Sequence, residues 1–284
     1  MGCPPPRTNR ASLMVPMTAQ PGDRPDYEQP PVGEVALAIQ FQSAIGYRSH
    51  ELAAFVERWS GELPKVLEKP PLTAMTVDFH GPAVELRVAE EPETPRLWLM
   101  NTEESRLLQI QQDRLVVNWR KLPLDTPYPR YETIRLFVVE AWEHLTTALR
   151  QLGRPVPEPS ICEVQYVNHL DERSGWRSVG DTPAVIAPWG GSMSDDFLPP
   201  ARQAAMSLLF DLPDGRGWLA AEGRSGELRD ARKVLTLNLV ARGRAASPDL
   251  EGALDFMDLA HDWIVRGFTS ITTSEAHKHW RRKR

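Results

Sequence analysis

The 284-residue sequence predicts an α+β fold made of two similar units, each an antiparallel sheet backed by long helices. Three observations carry that expectation. Short segments of period-2 alternation recur along the chain, the mark of half-buried strands. Two long segments at Tyr131 to Leu152 and from Ser247 onward repeat apolar residues at helical spacing. The alternating strand that begins each half opens on the same pair, Glu34-Val35 and Glu163-Val164. Together these suggest an internal duplication, with one continuous α+β domain as the alternative.

Residues 1–28 are rich in Pro, Thr, Ser and charge and read as a flexible leader, within which Met14 or Met17 is a possible start. The first unit spans 29–153. A strand enters at Pro30-Pro31 and places Val35, Leu37, Ile39 and Phe41 on one face. A helix capped by Ser49 follows, with Leu52, Phe55, Val56 and Trp59 as its stripe and Gly61 and Pro64 as its stop. Strands are expected at Thr73–Phe79, Ala83–Val88 and Arg96–Met100. A hairpin then joins Leu107–Gln112 to Leu115–Trp119 through a turn near Asp113 and Arg114. Its apolar set is Leu108, Ile110, Leu115, Val117 and Trp119. The long helix from Tyr131 closes the unit at Gly153.

Residues 154–159 (RPVPEP) form a Pro-rich linker, and the second unit, 160–284, restarts with a strand at Cys162–Leu170. Strands at Gln203–Leu212, Gly217–Glu222 and Lys233–Ala241 follow. A helix capped by Ser247, with Pro248 in its first turn, carries Leu250, Leu254, Met257, Ala260, His261, Ile264, Val265 and Phe268 on one stripe. A short helix capped by Thr273 or Ser274 precedes a basic tail, Arg281 to Arg284.

Bulk properties narrow the function classes. A net charge of −5 argues against a surface that coats nucleic acid, while leaving room for a local basic patch. No apolar run approaches the ~20 residues a membrane helix needs. The two cysteines, Cys3 and Cys162, are too few and too distant for a disulfide framework or a Cys-based zinc site. Residues 1–28 lack the apolar core of a signal peptide, so the cytoplasm is the expected compartment. No phosphate loop, dinucleotide fingerprint or Gly-x-Ser-x-Gly elbow occurs, and no cofactor is expected.

The chain resembles a sporadically distributed family of uncharacterised bacterial proteins. The resemblance rests on a Pro-Pro-x-x-Glu-Val strand at Pro30 to Val35 and on a hairpin with Gln109, Gln111, Asp113 and Arg114, ending in Asn118, Trp119 and Arg120. A strand bearing Glu163, Tyr166 and Asn168 completes it. The match runs from about Gln29 to the C-terminus. Leu115 departs from the pattern, which more often has an aromatic there. The resemblance implies a cytoplasmic bacterial protein and brings no established activity.

Candidate chemistry centres on the hairpin. Gln109, Gln111, Asn118 and Arg120 are placed by their parity on the face opposite the apolar one. Amides offer donors and acceptors, and the guanidinium suits a carboxylate or phosphate. A wet sheet face is the structural alternative. Asp113-Arg114 reads as a turn with a weak ion pair. Glu34 and Glu163 open matching strands; they either meet as an acid/base pair or serve as strand-entry residues paired with arginine. His261, with Asp258 on its face, offers too few ligands for zinc and reads as a hydrogen-bonded helix histidine. His277 and His279 are two apart, on different helix faces. The segment Gly175 to Pro200, with Trp176, Trp189 and Phe197, is either a binding loop or a closure of the core. The basic tail reads as a solvated terminal run.

The expectation is a non-enzymatic binding or interaction module, with an unidentified protein or a small polar or anionic ligand as partner. Its candidate residues are Gln109, Gln111, Asn118, Arg120, Glu34 and Glu163, with no catalytic or metal site assigned. Two alternatives stand beside it. One is a nucleic-acid-binding protein using a concave sheet and the basic tail. The other is an enzyme in which Glu34, Glu163 and His261 converge.

Overall fold

A computed structural model describes residues 24–78, 94–123, 126–190, 197–199, 201–228 and 231–284. In chain order the elements are β1 (Val32–Phe41), α1 (Ala53–Trp59), β2 (Lys65–Lys69), β3 (Arg96–Met100), β4 (Arg106–Gln111), β5 (Arg114–Arg120) and α2 (Tyr131–Gln151). There follow β6 (Pro159–Leu170), the single turn α3 (Thr182–Val185), β7 (Ala205–Asp211), β8 (Gly217–Glu227), β9 (Lys233–Arg244), α4 (Leu250–Ile271) and α5 (Ser274–His279). The fold is α+β, and its strands form one antiparallel sheet in the order β2-β3-β4-β5-β1-β6-β9-β8-β7. The order reads alike from the middle outward. Each central strand, β1 or β6, is followed on its outer side by the last strand of a meander, and the earlier meander strands lie beyond it. No helix among the described residues is long and apolar enough to cross a membrane.

Alternation decides which face meets the helices. Val35, Leu37 and Ile39 of β1 share the helix-side core with Leu108, Ile110, Leu115, Val117 and Trp119 of the hairpin and with Leu237, Leu239 and Ala241 of β9. The apolar stripes of α2 and α4 cover that face, and Trp59 of α1 meets Phe137 of α2 edge-on at 5.5 Å between ring centroids. The two long helices are tied by Tyr131 Oη donating to Asp258 at 2.7 Å and by a two-pronged contact from Arg135 to the same carboxylate.

Several local details depart from the sequence reading. The turn before α1 has Arg48 at its N-cap position, one residue before the expected Ser49, and the Arg48 N–H donates to Glu51. The long C-terminal helix is capped by Asp249, which accepts from the Gly252 N–H at 2.8 Å. Ser247 acts one step back, donating to Asp249. Thr273, one of the two caps expected for α5, does cap it, accepting from the Ala276 N–H. Strand β2 was not expected; it is a short, exposed edge strand with a lysine at each end, a composition that discourages further strand addition. The expected linker is pinned, since Arg154 reaches Glu51 and the Ile45 and Gly46 carbonyls, and Pro159 already belongs to β6. Residues 24–28, expected as the end of a leader, run beside the C-terminus, with Tyr27 buried against Phe268 and Trp280.

The largest departure is the segment 70–78. Thr73–Phe79 was expected to be a strand, but residues 73–78 join no strand ladder. They cross the open face of the sheet as an extended strap. The contacts advance with the sequence: Leu72 meets Gln111 of β4, Thr73 meets Arg114 of β5, Met75 meets Gln40 of β1, Thr76 meets Arg242 of β9 and Val77 meets Trp218 of β8. Met75 and Val77 pack on Ala36, Ala38, Val116 and Ile161, where two small alanines let the strap lie close. The strand expected at Ala83–Val88 lies outside the described residues.

Candidate functional site

All six residues singled out on the hairpin and strand openings share the open face of the sheet or its end, but most are already engaged. Gln111 holds the strap with both ends of its amide: Oε1 accepts from the Leu72 N–H at 2.9 Å and Nε2 donates to the Leu72 carbonyl at 3.0 Å. Gln40, which the sequence reading passed over, does the same for Met75 at 2.5 and 3.0 Å. Each glutamine thus stands in for a stretch of strand backbone. Arg114, expected in a surface turn, is 5% exposed and donates to the Thr73 carbonyl and to Gln40. Burial pulls its pKa down.

Gln109, Asn118 and Glu34 belong to a row of hydrogen bonds running across four strands. Arg96 donates to Gln109 at 3.0 Å, Gln109 to Asn118 at 2.7 Å, and Asn118 to Glu34 at 2.8 Å. Burial raises the Glu34 carboxyl against the lowering effects of Asn118 and Arg120. Alanine at Gln109, Gln111 or Asn118 would therefore strip buried hydrogen bonds and report on stability, not on partner capture.

The acid/base convergence does not form. Glu34 and Glu163 lie on the same face, but Glu34 stands opposite Val167, four residues from Glu163, which is about 13 Å along the strand. Glu163 is instead paired with Arg242, its Oε2 accepting from Nε at 2.7 Å. His261 sits on the helix side of the sheet, in hydrogen-bond contact with Tyr166 at 3.0 Å. The enzyme reading built on these three side chains loses its geometric basis.

The two remaining features also fold inward. The basic tail turns back on residues 26–29: Arg281 pairs with Glu28, and the Lys283 N–H donates to the Asp26 carbonyl. In the long loop, Trp176 is buried and donates to Thr182, while Trp189 packs against the core. Residues 191–196 lie outside the described residues.

What remains open is a cleft of about 840 Å³ at the end of the central strands. The entry to β1, the exits of β5 and β6, the β8–β9 turn and the end of α5 supply its walls. Lys121 N–H donates to the Gly33 carbonyl and His169 N–H to that of Pro31, so β1 is clasped between the two exits. Gly33 is required here: a Cβ on it would stand 2.5 Å from Nδ1 of His169.

The described lining holds five cationic side chains, Arg120, Lys121, Arg130, Arg173 and Arg232, against three carboxylates, Glu28, Glu34 and Asp171. Asp171 pairs with Arg173 at 2.7 Å and with Arg232 at 3.2 Å. Burial pushes its carboxyl up, but Arg173 and Arg232 outweigh that and hold it low. Arg130 is paired with Asp26, and Arg120 donates to the Glu104 carbonyl. Lys121 makes no side-chain hydrogen bond or ion pair among the described residues. Its pKa is lowered, first by burial and then by Arg173 and Arg232 against the opposing effect of Asp171, while burial, Arg232 and Lys121 keep His169 low. Of the residues named from sequence, Glu34 and Arg120 line this cleft. Lys121, His169, Asp171, Arg173 and Arg232 were missed.

No protein-family model matches the chain, and no curated protein does. Among solved structures, the chain is similar to DynU16, described as a protein in the dynemicin biosynthetic locus, at 13% identity. That likeness covers 84% of this chain and 97% of DynU16 with a TM-score of 0.26, too low to bear on fold or function.

Proposed function

We propose that the protein is a non-enzymatic binding module whose cleft takes a small polar ligand bearing phosphate or carboxylate groups. The observation that carries this reading is Lys121. A partly buried ammonium that forms no ion pair among the described residues, beside two guanidinium groups that together outweigh Asp171, is a charge deficit that an anion would relieve. The chain as a whole is acidic, so the cationic excess is local to the cleft. Arg173 and Arg232 add forked donors suited to planar or tetrahedral oxyanions once Asp171 shares them.

Titration calorimetry with pyrophosphate and with citrate tests the reading at low and moderate salt. Lys121→Ala is expected to weaken binding about 10- to 100-fold, the range of one charge-assisted hydrogen bond of ~1.5–3 kcal/mol. The fold should not change, because no described side chain relies on Lys121. No binding of either anion by the wild-type protein, or equal binding by the variant, would overturn it.

The nucleic-acid reading has less support, because the tail is folded back and the open sheet face carries the strap. We also read the two halves as the product of an internal duplication. The symmetric strand order supports this, together with the Glu-Val pairs that open β1 and recur within β6.

A further inference from the structure

A second, smaller cavity of about 310 Å³ lies on the helix side, between β6, α4 and the segment that precedes β1. It shares Tyr128 and Arg130 with the cleft but differs from it in chemistry. Its walls include Tyr128, Tyr131, Tyr166, His261, Ile264 and Phe268. Of the charged groups that line it, Arg24 pairs with Asp262 and Arg130 with Asp26, and Glu132 and Arg284 complete the set. Burial, reinforced by Arg24, drives the His261 pKa down to about 3, so its ring is neutral.

The polar atoms form a directed chain. Tyr128 and Tyr166 share a hydrogen bond of 2.9 Å, and the Tyr166 hydroxyl meets Nδ1 of His261 at 3.0 Å. If Tyr128 donates to Tyr166 and Tyr166 donates to Nδ1, every hydroxyl proton in the chain is used. The reverse direction leaves the Tyr128 proton without a partner among the described residues. The first assignment puts the imidazole proton on Nε2, which has no partner among those residues. His261 is 7% exposed, so that donor sits in the cavity wall rather than in bulk water. Tyr131 stacks on the opposite side of the ring at 4.0 Å and 5°, fixing its plane.

We infer that this cavity is a binding site for an aromatic molecule of about two rings that carries one hydrogen-bond acceptor, received by Nε2 of His261. Size sets the ring count: a cavity of about 150 Å³ accommodates benzene, and this one is about twice as large. The half-buried apolar groups of the lining, Pro25, Pro30, Tyr128 and Val265, supply the driving force, and the unpartnered donor of His261 supplies the discrimination. A buried donor left unpaired penalises a guest that lacks the acceptor.

The test compares 1-indanone with indane, which have nearly the same shape but differ in the carbonyl. Ligand-observed NMR on the full-length protein should show 1-indanone binding at least about tenfold more tightly. His261→Phe should bring 1-indanone to the level of indane. Val265→Trp, at a half-buried position of the wall, should fill the cavity and abolish both, while leaving pyrophosphate binding in the cleft as it was. No binding of either probe, or equal binding of the two by the wild-type protein, would overturn the assignment without any appeal to a variant. Because the pyrophosphate measurement is separate, failure of this site and failure of the anion cleft are distinguishable.

Discussion

Gln40→Ala should destabilise the protein by about 2–4 kcal/mol, although the residue lines neither the cleft nor the smaller cavity. The change leaves the buried N–H and carbonyl of Met75 without partners and takes an acceptor from Arg114. Each stranded buried group costs about 1–3 kcal/mol. For a chain of this length the melting temperature should fall by roughly 5–10 °C. Hydrogen exchange gives the more specific readout, since the Met75 amide should lose its protection while those of β1 and β5 keep theirs. A change below about 0.5 kcal/mol would mean that the strap does not need its glutamine clamp.

Acid should act on the protein through His261. Its pKa is about 3 in the folded state against an ordinary 6.5, so below pH 6.5 the unfolded chain takes up a proton that the native fold refuses. The His261 contribution is therefore fully present above pH 6.5 and falls as the pH drops toward 3, by up to about 1.4 kcal/mol per pH unit. His169 and His277 are also held low and act in the same direction, and Asp171 adds to it at lower pH. The decisive quantity is a difference. Urea unfolding of the wild-type protein and of His261→Gln should show the wild-type advantage shrinking by about 3 kcal/mol between pH 7 and pH 4. A constant gap between the two curves would refute the buried, neutral histidine.

These two residues show what could be read from sequence and what could not. His261 was legible because its place on an apolar helical stripe already implied burial, and a buried histidine needs a partner. The hairpin was legible for a similar reason. Period-2 alternation assigns every residue from Leu107 to Arg120 to one of two faces, and the structure keeps those faces. What alternation does not reveal is what covers the second face. The strap residues Thr73 to Val77 alternate like a strand, but their backbone bonds go to the side chains of Gln40, Arg114, Arg242 and Trp218, from strands far away in sequence, so no local pattern marks them. The cleft was illegible on stronger grounds. Its charges come from five separate stretches, and Lys121 carries no signal of its own until Arg173 and Arg232 are brought beside it.

The strap also constrains the order in which the protein can be assembled as it leaves the ribosome. Val77 meets Trp218 across 141 residues of sequence, and Thr76 meets Arg242 across 166. The amino-terminal strands can pair while the chain is still being made, but the strap has nothing to close onto over half its length until β8 and β9 emerge. During that interval Met75 and Val77, together with the alanine bed of β1, are exposed to solvent and to other nascent chains. Completion of the first half is thus postponed to the end of synthesis, and the last strands made are the ones that lock the earliest into place.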